Sequence, residues 1–306
     1  FAEHLFYRRL IESVRWWETG RDPFAPIKAL EYSGRAHGDL LRAGAEISAR
    51  TPAMQGGSAA VREGLAELLL FDLWGNRIDL SHKASAALGT GPSAPDELLV
   101  DDRDKILDCL VSGEAGAKSV HVVTDNAGSE LTMDLLLADY LAALGITVVF
   151  HVKMHPIYVS DATAPDVLSF VQRMAGGEAG PEAQIIGRRL VVAFEAGLIR
   201  VLPDLFWNSG RFLGELPPRL TEPFRGASLV IFKGDVNYRR MSKDAIWPAT
   251  APFPEVVGSL PAPAAVLRTM KSDTVFGLPE GLSEQLDLAD PQWRSNGRRG
   301  IIQFFG

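Results

Sequence analysis

Acidic, amide and lysine side chains recur where a strand pattern gives way to a loop. They fall at Asp125-Asn126, at Asp161 within Ser160-Asp161-Ala162-Thr163, at Lys233-Gly234-Asp235 and at Lys271-Ser272-Asp273. An open parallel sheet binds its ligands beyond the carboxyl ends of its strands. Oxygen donors from Asp125, Asn126 and Asp161 would suit Mg²⁺ or Mn²⁺. Lys271, Lys233 and Arg239 would neutralise a phosphate beside such an ion. Each position also has a plain structural reading. Asp125 or Asn126 would cap a helix starting near Ser129, and Asp161 with Thr163 would cap one starting at Pro165. Lys233-Gly234-Asp235 reads equally as a strand-to-turn junction, and Glu130 as a first-turn acid favoured by the helix dipole. Capping does not explain basic residues at two other strand ends, so their convergence favours a site.

Other chemistries lack their residues. There is no G-x-x-x-x-G-K-[ST] loop and no G-x-G-x-x-G after a strand. A G-x-S-x-G elbow and an H-E-x-x-H helix are also missing. Cys109 is the single cysteine, which removes an intrachain disulfide and a cysteine zinc site. It falls in an apolar helical pattern and reads as a small core residue. His151 and His155 flank a strand end, so their spacing does not make a helical metal face. Trp16-Trp17, Trp207 and Trp247 read as core or pocket walls.

The elements that must position these residues change character along the chain. Up to about Ser85 the pattern is helical: Leu5, Leu10, Val14 and Trp17 share one face before Gly20. Further helices are expected from Ile27 to Ala49, through VREGLAELLLFDLWGN and through DRDKILDCLVSG. GTGPSAPDE, from Gly89 to Glu97, reads as a loop. Near Lys118 the texture becomes strand, helix, strand. SVHVVTD and ITVVFHV are apolar, β-branched runs of the kind buried on both faces, separated by the helical ELTMDLLLADYLAALG. RRLVVAFEAG, ASLVIFKGD, AAVLRTMKSD and GIIQFFG read as further strands, and APDVLSFVQRMAGG as a helix. The expected fold is α/β, a mostly parallel, doubly wound, Rossmann-like sheet flanked by helices. The expected division is a helical N-terminal subdomain over residues 1–114 and a metal- and phosphate-binding α/β domain over 115–306.

Composition bounds the partners. The 306 residues carry 31 Lys+Arg against 38 Asp+Glu, a net charge of −7. With no basic excess and no Lys/Arg block, nucleic acid is not expected as a partner. No membrane span is expected, because the longest apolar region, Leu135 to Phe150, is interrupted by Asp139 and Gly145. Phe1 to Glu18 has no continuous apolar stretch of the signal-peptide kind. A cytoplasmic location is the expectation, and the pattern does not speak to oligomeric state. A chain of this length buries roughly 75% of its unfolded surface without disulfides.

Five motifs in order carry a resemblance: WGNRIDLS (Trp74 to Ser81), TDNAGSEL (Thr124 to Leu131), YVSDAT (Tyr158 to Thr163), FKGDVNYRR (Phe232 to Arg240) and RTMK (Arg268 to Lys271). Together they resemble the damage-control phosphatase family, in the branch of the acidic-residue methyltransferase-like proteins and their sugar-phosphate phosphatase relatives. The resemblance runs from Tyr7 through GIIQFFG. It implies an α/β domain with a helical N-terminal part. It implies a divalent metal, Mn²⁺ first and Co²⁺, Ni²⁺ or Mg²⁺ as alternatives, on Asp125, Asn126 and Asp161. It implies substrate contacts from Asp235, Asn237, Tyr238 and Arg239, and a phosphate contact from Lys271. Asn76 and Asp79 match a further motif placed near the substrate, and the acid matching Glu130 is linked to S-adenosylmethionine in eukaryotic relatives.

The expected function is a metal-dependent phosphatase of small phosphometabolites, such as fructose 1-phosphate or fructose 6-phosphate. Its catalytic set is Asp125, Asp161, Asp235 and Lys271. The nucleophile would be an activated water or an aspartate. One alternative is an S-adenosylmethionine-dependent carboxyl methyltransferase, disfavoured because the turn from Asp125 to Glu130 holds one glycine. Another is a non-catalytic phosphometabolite-binding protein, disfavoured because no ligand residue is lost.

Overall fold

The computed structural model describes residues 2–33, 35–49, 58–75, 97–111 and 118–306. The chain opens with helices α1 (Ala2–Ser13), α2 (Trp16–Thr19), α3 (Ala25–Ser33), α4 (Arg35–Ala49) and α5 (Ser58–Trp74). There follow β1 (Leu98–Asp101), α6 (Arg103–Val111), β2 (Ser119–Val123), α7 (Ser129–Ala143), β3 (Thr147–Lys153), α8 (Ala164–Gly176), α9 (Pro181–Glu195) and β4 (Ile199–Asp204). The chain ends with α10 (Pro218–Arg225), β5 (Leu229–Lys233), α11 (Gly234–Met241), α12 (Phe253–Val256), β6 (Ala264–Thr269), α13 (Leu282–Ala289) and β7 (Gly300–Phe305). Among the described residues no helix is long and apolar enough to cross a membrane.

Seven strands form one sheet in the order β1-β7-β6-β5-β2-β3-β4. The five from β6 to β4 run parallel, while β7 is antiparallel to β6 and β1 parallel to β7. From β2 the chain steps outward through β3 to β4, then returns to lay β5 on the other side of β2. The crevice beyond the ends of β2 and β5 is therefore the switch point where an open sheet binds ligands.

Helix α7 is buried along almost its whole length, lying in one core with α4, α5 and the central strands. Its acids are matched within that core. Asp139 accepts from Ser48 Oγ at 2.6 Å and Arg189 Nε at 3.0 Å, and Asp134 accepts from Lys233 at 2.8 Å. The helix can lie on the sheet because its polar groups find partners there.

Two strands differ from the sequence expectation. Arg188 to Gly197 is not a strand: its first residues belong to α9, and the strand is Ile199–Asp204. Pro181 at the start of α9 favours a helix. The residues it buries, Ala183, Ile186, Leu190 and Ala193, repeat with helical spacing. The β-branched Val191 and Val192 suggested a strand, yet Val192 faces solvent. The second difference is β1, whose residues fall between the expected loop and the expected helix and belong to neither. Its four residues lack an alternating pattern, and pairing with β7 makes them a strand. Asp102 Oδ2 fixes the join by accepting from Phe304 N at 3.0 Å.

Beneath α10, a 2.8 Å hydrogen bond joins Nδ1 of His121 to Nε2 of His151, and both rings touch Phe224. Burial lowers the pKa of His121 to about 4 and that of His151 to about 3, with its neighbour's charge adding to the effect. Above the ordinary value of about 6.5 neither ring makes stability pH-dependent. Below it the unfolded chain takes up protons the folded chain refuses, down to about pH 4. Each ring then costs about 1.4 kcal/mol per pH unit. Urea unfolding from pH 7.5 to 4.5 should show a shallower loss of stability in a variant carrying His121→Gln and His151→Gln. An unchanged slope would mean the imidazoles are not shielded from protons.

Candidate active site

The loops after β2 and β3 are zipped by their backbones. Ala162 N donates to Asp125 O at 2.8 Å, and Ala127 N to Ser160 O at 2.6 Å. Asn126 and Asp161 thereby face one another as a bridged pair. Tyr158 and Val159 feed this loop at φ +51° and +69°. A β-branched residue in the left-handed region costs of order 1–3 kcal/mol and is kept where surrounding contacts fix it. Here Tyr158 packs against the Tyr7 and His4 rings of α1. Lys28 of α3 donates to Asp161 O at 3.1 Å.

Neither loop spends its acids on caps. The residue before α7 is Gly128, and Ser129 N donates to Glu31 of α3 at 3.1 Å. At α8 the cap is Thr163, whose N–H and hydroxyl donate to Asp166 at 2.9 and 2.6 Å. Glu130 is likewise more than a dipole acid. Its Oε2 accepts from Asn126 N and Nδ2, both at 3.0 Å. Asn126 Nδ2 also donates to Asp125 Oδ2 at 3.2 Å, and Asn126 Oδ1 accepts from Ser160 Oγ at 2.6 Å.

Asp125, Glu130 and Asp161 are all buried. Burial drives the Asp125 carboxyl well above the usual range, and the charges of Glu130 and Asp161 push the same way. Burial also raises Glu130 and Asp161, opposed by Lys233 and Lys271 at the former and by Lys153 at the latter. Asp125 Oδ1 is buried without a hydrogen-bond partner among the described residues. Among the described residues Asp161 Oδ2 has only an ion pair, 3.0 Å from Lys153 Nζ, outside hydrogen-bond geometry. Such a cluster of acids calls for positive charge.

On the other side of the crevice, α11 begins at Gly234 with φ +79°. An added Cβ there would meet Asp125 Oδ2 at 1.9 Å, so glycine lets the turn pass the carboxylate. Asp235 Oδ1 accepts from Arg268 Nε at 2.8 Å and Ser272 Oγ at 3.0 Å. Arg268 is fully buried, stacks 4.1 Å over the Tyr238 ring and donates to Thr274 O at 2.7 Å. Asn237 Nδ2 ties α11 to the sheet, donating to Thr124 O at 3.1 Å and Lys233 O at 2.8 Å. Tyr238 Oη donates to Phe276 O at 3.2 Å and accepts from Phe276 N at 3.0 Å. Arg239 makes two bonds to Asp244, at 2.7 and 2.9 Å. The α11 motif thus divides into Asp235 at the crevice, Asn237 and Tyr238 as braces, and Arg239 at the rim.

Lys271 is exposed, and its charge reaches both Asp125 and Glu130. Lys233 does not join it. Its side chain turns into the core, where Asp72 and Asp134 take the ammonium, so it is not free to meet a phosphate. Asn76 and Asp79 lie outside the described residues. Sequence reasoning passed over Lys153, Glu31 and Lys28. Lys153 had a signal, since it is the last residue of a strand; Glu31 and Lys28 reach the site from a remote helix and had none.

Among the described residues no group of three or more His, Cys, Asp or Glu side chains is gathered to hold a metal ion. Asp125 Oδ1 and Asp161 Oδ2, both buried without a hydrogen-bond partner among the described residues, are hard donors that suit Mg²⁺ or Mn²⁺.

The sequence model of the "Damage-control phosphatase ARMT1-like domain" matches residues 1–286. "Damage-control phosphatase ARMT1" of Danio rerio is 33% identical over 264 residues, 80% of this chain and 58% of the relative. The Xenopus tropicalis protein of that name is 32% identical over 79% of this chain and 59% of its own length. The Homo sapiens protein is 30% identical over 80% and 60%. The chain thus spans about six-tenths of the length of these curated relatives. A solved DUF89 family protein from Pyrococcus horikoshii aligns over 95% of this chain and 79% of its own. Its TM-score of 0.49 and 18% identity add nothing to the sheet order read above. By the match over residues 1–286, the chain belongs to the ARMT1-like damage-control phosphatase domain family.

Proposed function

We propose that the protein is a divalent-metal-dependent phosphatase of small phosphometabolites, with sugar phosphates such as fructose 1-phosphate or fructose 6-phosphate as the leading substrates. The observation that carries this reading is the buried acid cluster at the switch point, where Asp125 Oδ1 has no hydrogen-bond partner among the described residues. Held by Asp125, Asn126 and Asp161, a divalent ion, Mn²⁺ first, would supply Lewis-acid polarisation of a phosphoryl oxygen. The other roles fall to the chain's own side chains. Lys271, exposed at the rim, binds the phosphate and spreads charge from its outer oxygens. Asp235, clamped by Arg268 and Ser272, presents its remaining oxygen to a sugar hydroxyl or a proton in transfer. Glu130 holds the Asn126 amide by its nitrogen, with the amide oxygen on the side of Ser160. Asn237 holds α11 against the end of β2, and Tyr238 holds it against Phe276.

The test is a phosphosugar panel assayed with Mn²⁺. Hydrolysis should stop on addition of EDTA, return with excess Mn²⁺, and be lost in Asp161→Ala. Hydrolysis indifferent to chelation and to Asp161→Ala would overturn the metal-dependent reading. No hydrolysis of any phosphomonoester would overturn the phosphatase reading.

A further inference from the structure

Three lysines are buried among the described residues: Lys28, Lys153 and Lys233. A buried ammonium is costly unless its protons are matched, and two of the three are. Lys28 Nζ has Asp166 Oδ2 at 2.7 Å, Asp22 Oδ2 at 2.9 Å and Asp161 O at 3.1 Å. Lys233 Nζ has Asp72 Oδ1, Asp134 Oδ1 at 2.8 Å and Asp72 O at 3.1 Å. Lys153 is only 1% exposed and has no hydrogen-bond partner among the described residues. Its one charged neighbour within ion-pair distance among the described residues is Asp161 Oδ2, at 3.0 Å and off the hydrogen-bond direction.

Its position points its protons toward the crevice. Lys153 ends β3, and Lys153 N donates to Ala162 O at 3.0 Å, fixing its backbone to the Asp161 loop. Val123 of β2 is in register with His151 of β3. Asp125 and Lys153 each stand two residues further on, Lys153 at the end of β3 and Asp125 just past the end of β2, on neighbouring parallel strands about 4.8 Å apart. A cation with unspent donors beside the acids that would carry the metal is what a dianionic phosphate requires. Service as a counterion to Asp161 would use one proton and leave the others unmatched.

We propose that Lys153 is a phosphate-contacting residue, its ammonium binding a phosphoryl oxygen at the buried end of the crevice while Lys271 binds from the rim. This rests on the phosphatase reading, and it names a second, interior cation for the same phosphate. Lys153 would draw the phosphoryl group down against the Asp125–Asp161 pair, and the exposed Lys271 would admit and release it.

The experiment compares wild type with Lys153→Met, using inorganic phosphate as the probe, with Mn²⁺ binding measured separately by calorimetry. Phosphate should inhibit or bind Lys153→Met at least tenfold more weakly. Mn²⁺ measured without phosphate should bind as tightly as in wild type or tighter, because a like charge has been removed. Phosphate affinity within twofold of wild type in folded Lys153→Met would overturn the proposal. So would a parallel loss of Mn²⁺ affinity, which would make Lys153 a support for the Asp161 loop. If Lys153→Met does not fold, a wild-type crystal soaked with Mn²⁺ and phosphate decides. Nζ within about 3.2 Å of a phosphate oxygen supports the contact, and Nζ beyond 4 Å from every phosphate oxygen overturns it. Failure of wild type to bind phosphate at all would instead remove the phosphatase reading and this proposal with it.

Discussion

Gly234→Ala is expected to lower kcat/KM for any phosphomonoester that the wild type hydrolyses by about 100-fold or more, the scale on which a misplacement of about 1 Å is felt. Two costs arise at once. At φ +79° an L side chain is strained, by about 1 kcal/mol. The added Cβ would also lie 1.9 Å from Asp125 Oδ2 and 2.4 Å from its Cγ. Asp125 has little room to yield, being buried and bonded to Asn126 at 3.2 Å. Either the carboxylate rotates off its place or the β5–α11 turn lifts away from β2, and both open the cluster. Gly258→Ala is the control, since Gly258 has φ +84° with nothing within 4 Å of the added Cβ. It should share the strain and keep the activity. Steady-state kinetics on both variants, with circular dichroism to verify folding, check this. Wild-type kcat/KM in folded Gly234→Ala would show that Asp125 is not where the chemistry occurs.

What the sequence discloses of this site, and what it hides, follow from the range of the forces involved. The ends of β2 and β5 are legible because a strand buried on both faces is an unbroken apolar, β-branched run, and the first polar residue after it marks the crevice. Asp125, Asn126 and Asp235 were found that way. Whether such a residue caps a helix or serves a site is decided by contacts over long sequence distances. Glu31 supplies the bond to Ser129 N across 98 positions, so no local pattern frees Asp125 from the capping role. Side-chain direction at a strand end is equally hidden. Lys233 and Lys153 both end strands, yet one meets two core carboxylates and the other faces the crevice acid Asp161. β4 was misplaced because valines in α9 imitate a strand, and the helical repeat of its buried residues shows only once its neighbours α4 and α8 are in place.

The Lys233 triad makes the last prediction one of stability. Asp72 of α5 and Asp134 of α7 share the one ammonium. Burial, with Asp134 next to it, drives Asp72 far above its ordinary range, while Lys233 opposes the shift. One oxygen of each acid already lacks a hydrogen-bond partner among the described residues. Lys233→Met would strand both acids, and removing one partner of a buried ion pair costs about 3–5 kcal/mol. That is a large part of the roughly 5–15 kcal/mol that holds a domain together. Urea unfolding at pH 7 should show a loss of this size. A variant carrying Lys233→Met, Asp72→Asn and Asp134→Asn should recover at least half of it, because no uncompensated charge remains. Stability of Lys233→Met within about 1 kcal/mol of wild type would mean the acids are already neutral without the lysine. The loss would also reach the site. Lys233 is the residue before Gly234, and its charge opposes the rise that burial imposes on the Glu130 carboxyl, so the salt bridge that joins α5 and α7 to β5 also sets the turn against which Asp125 rests.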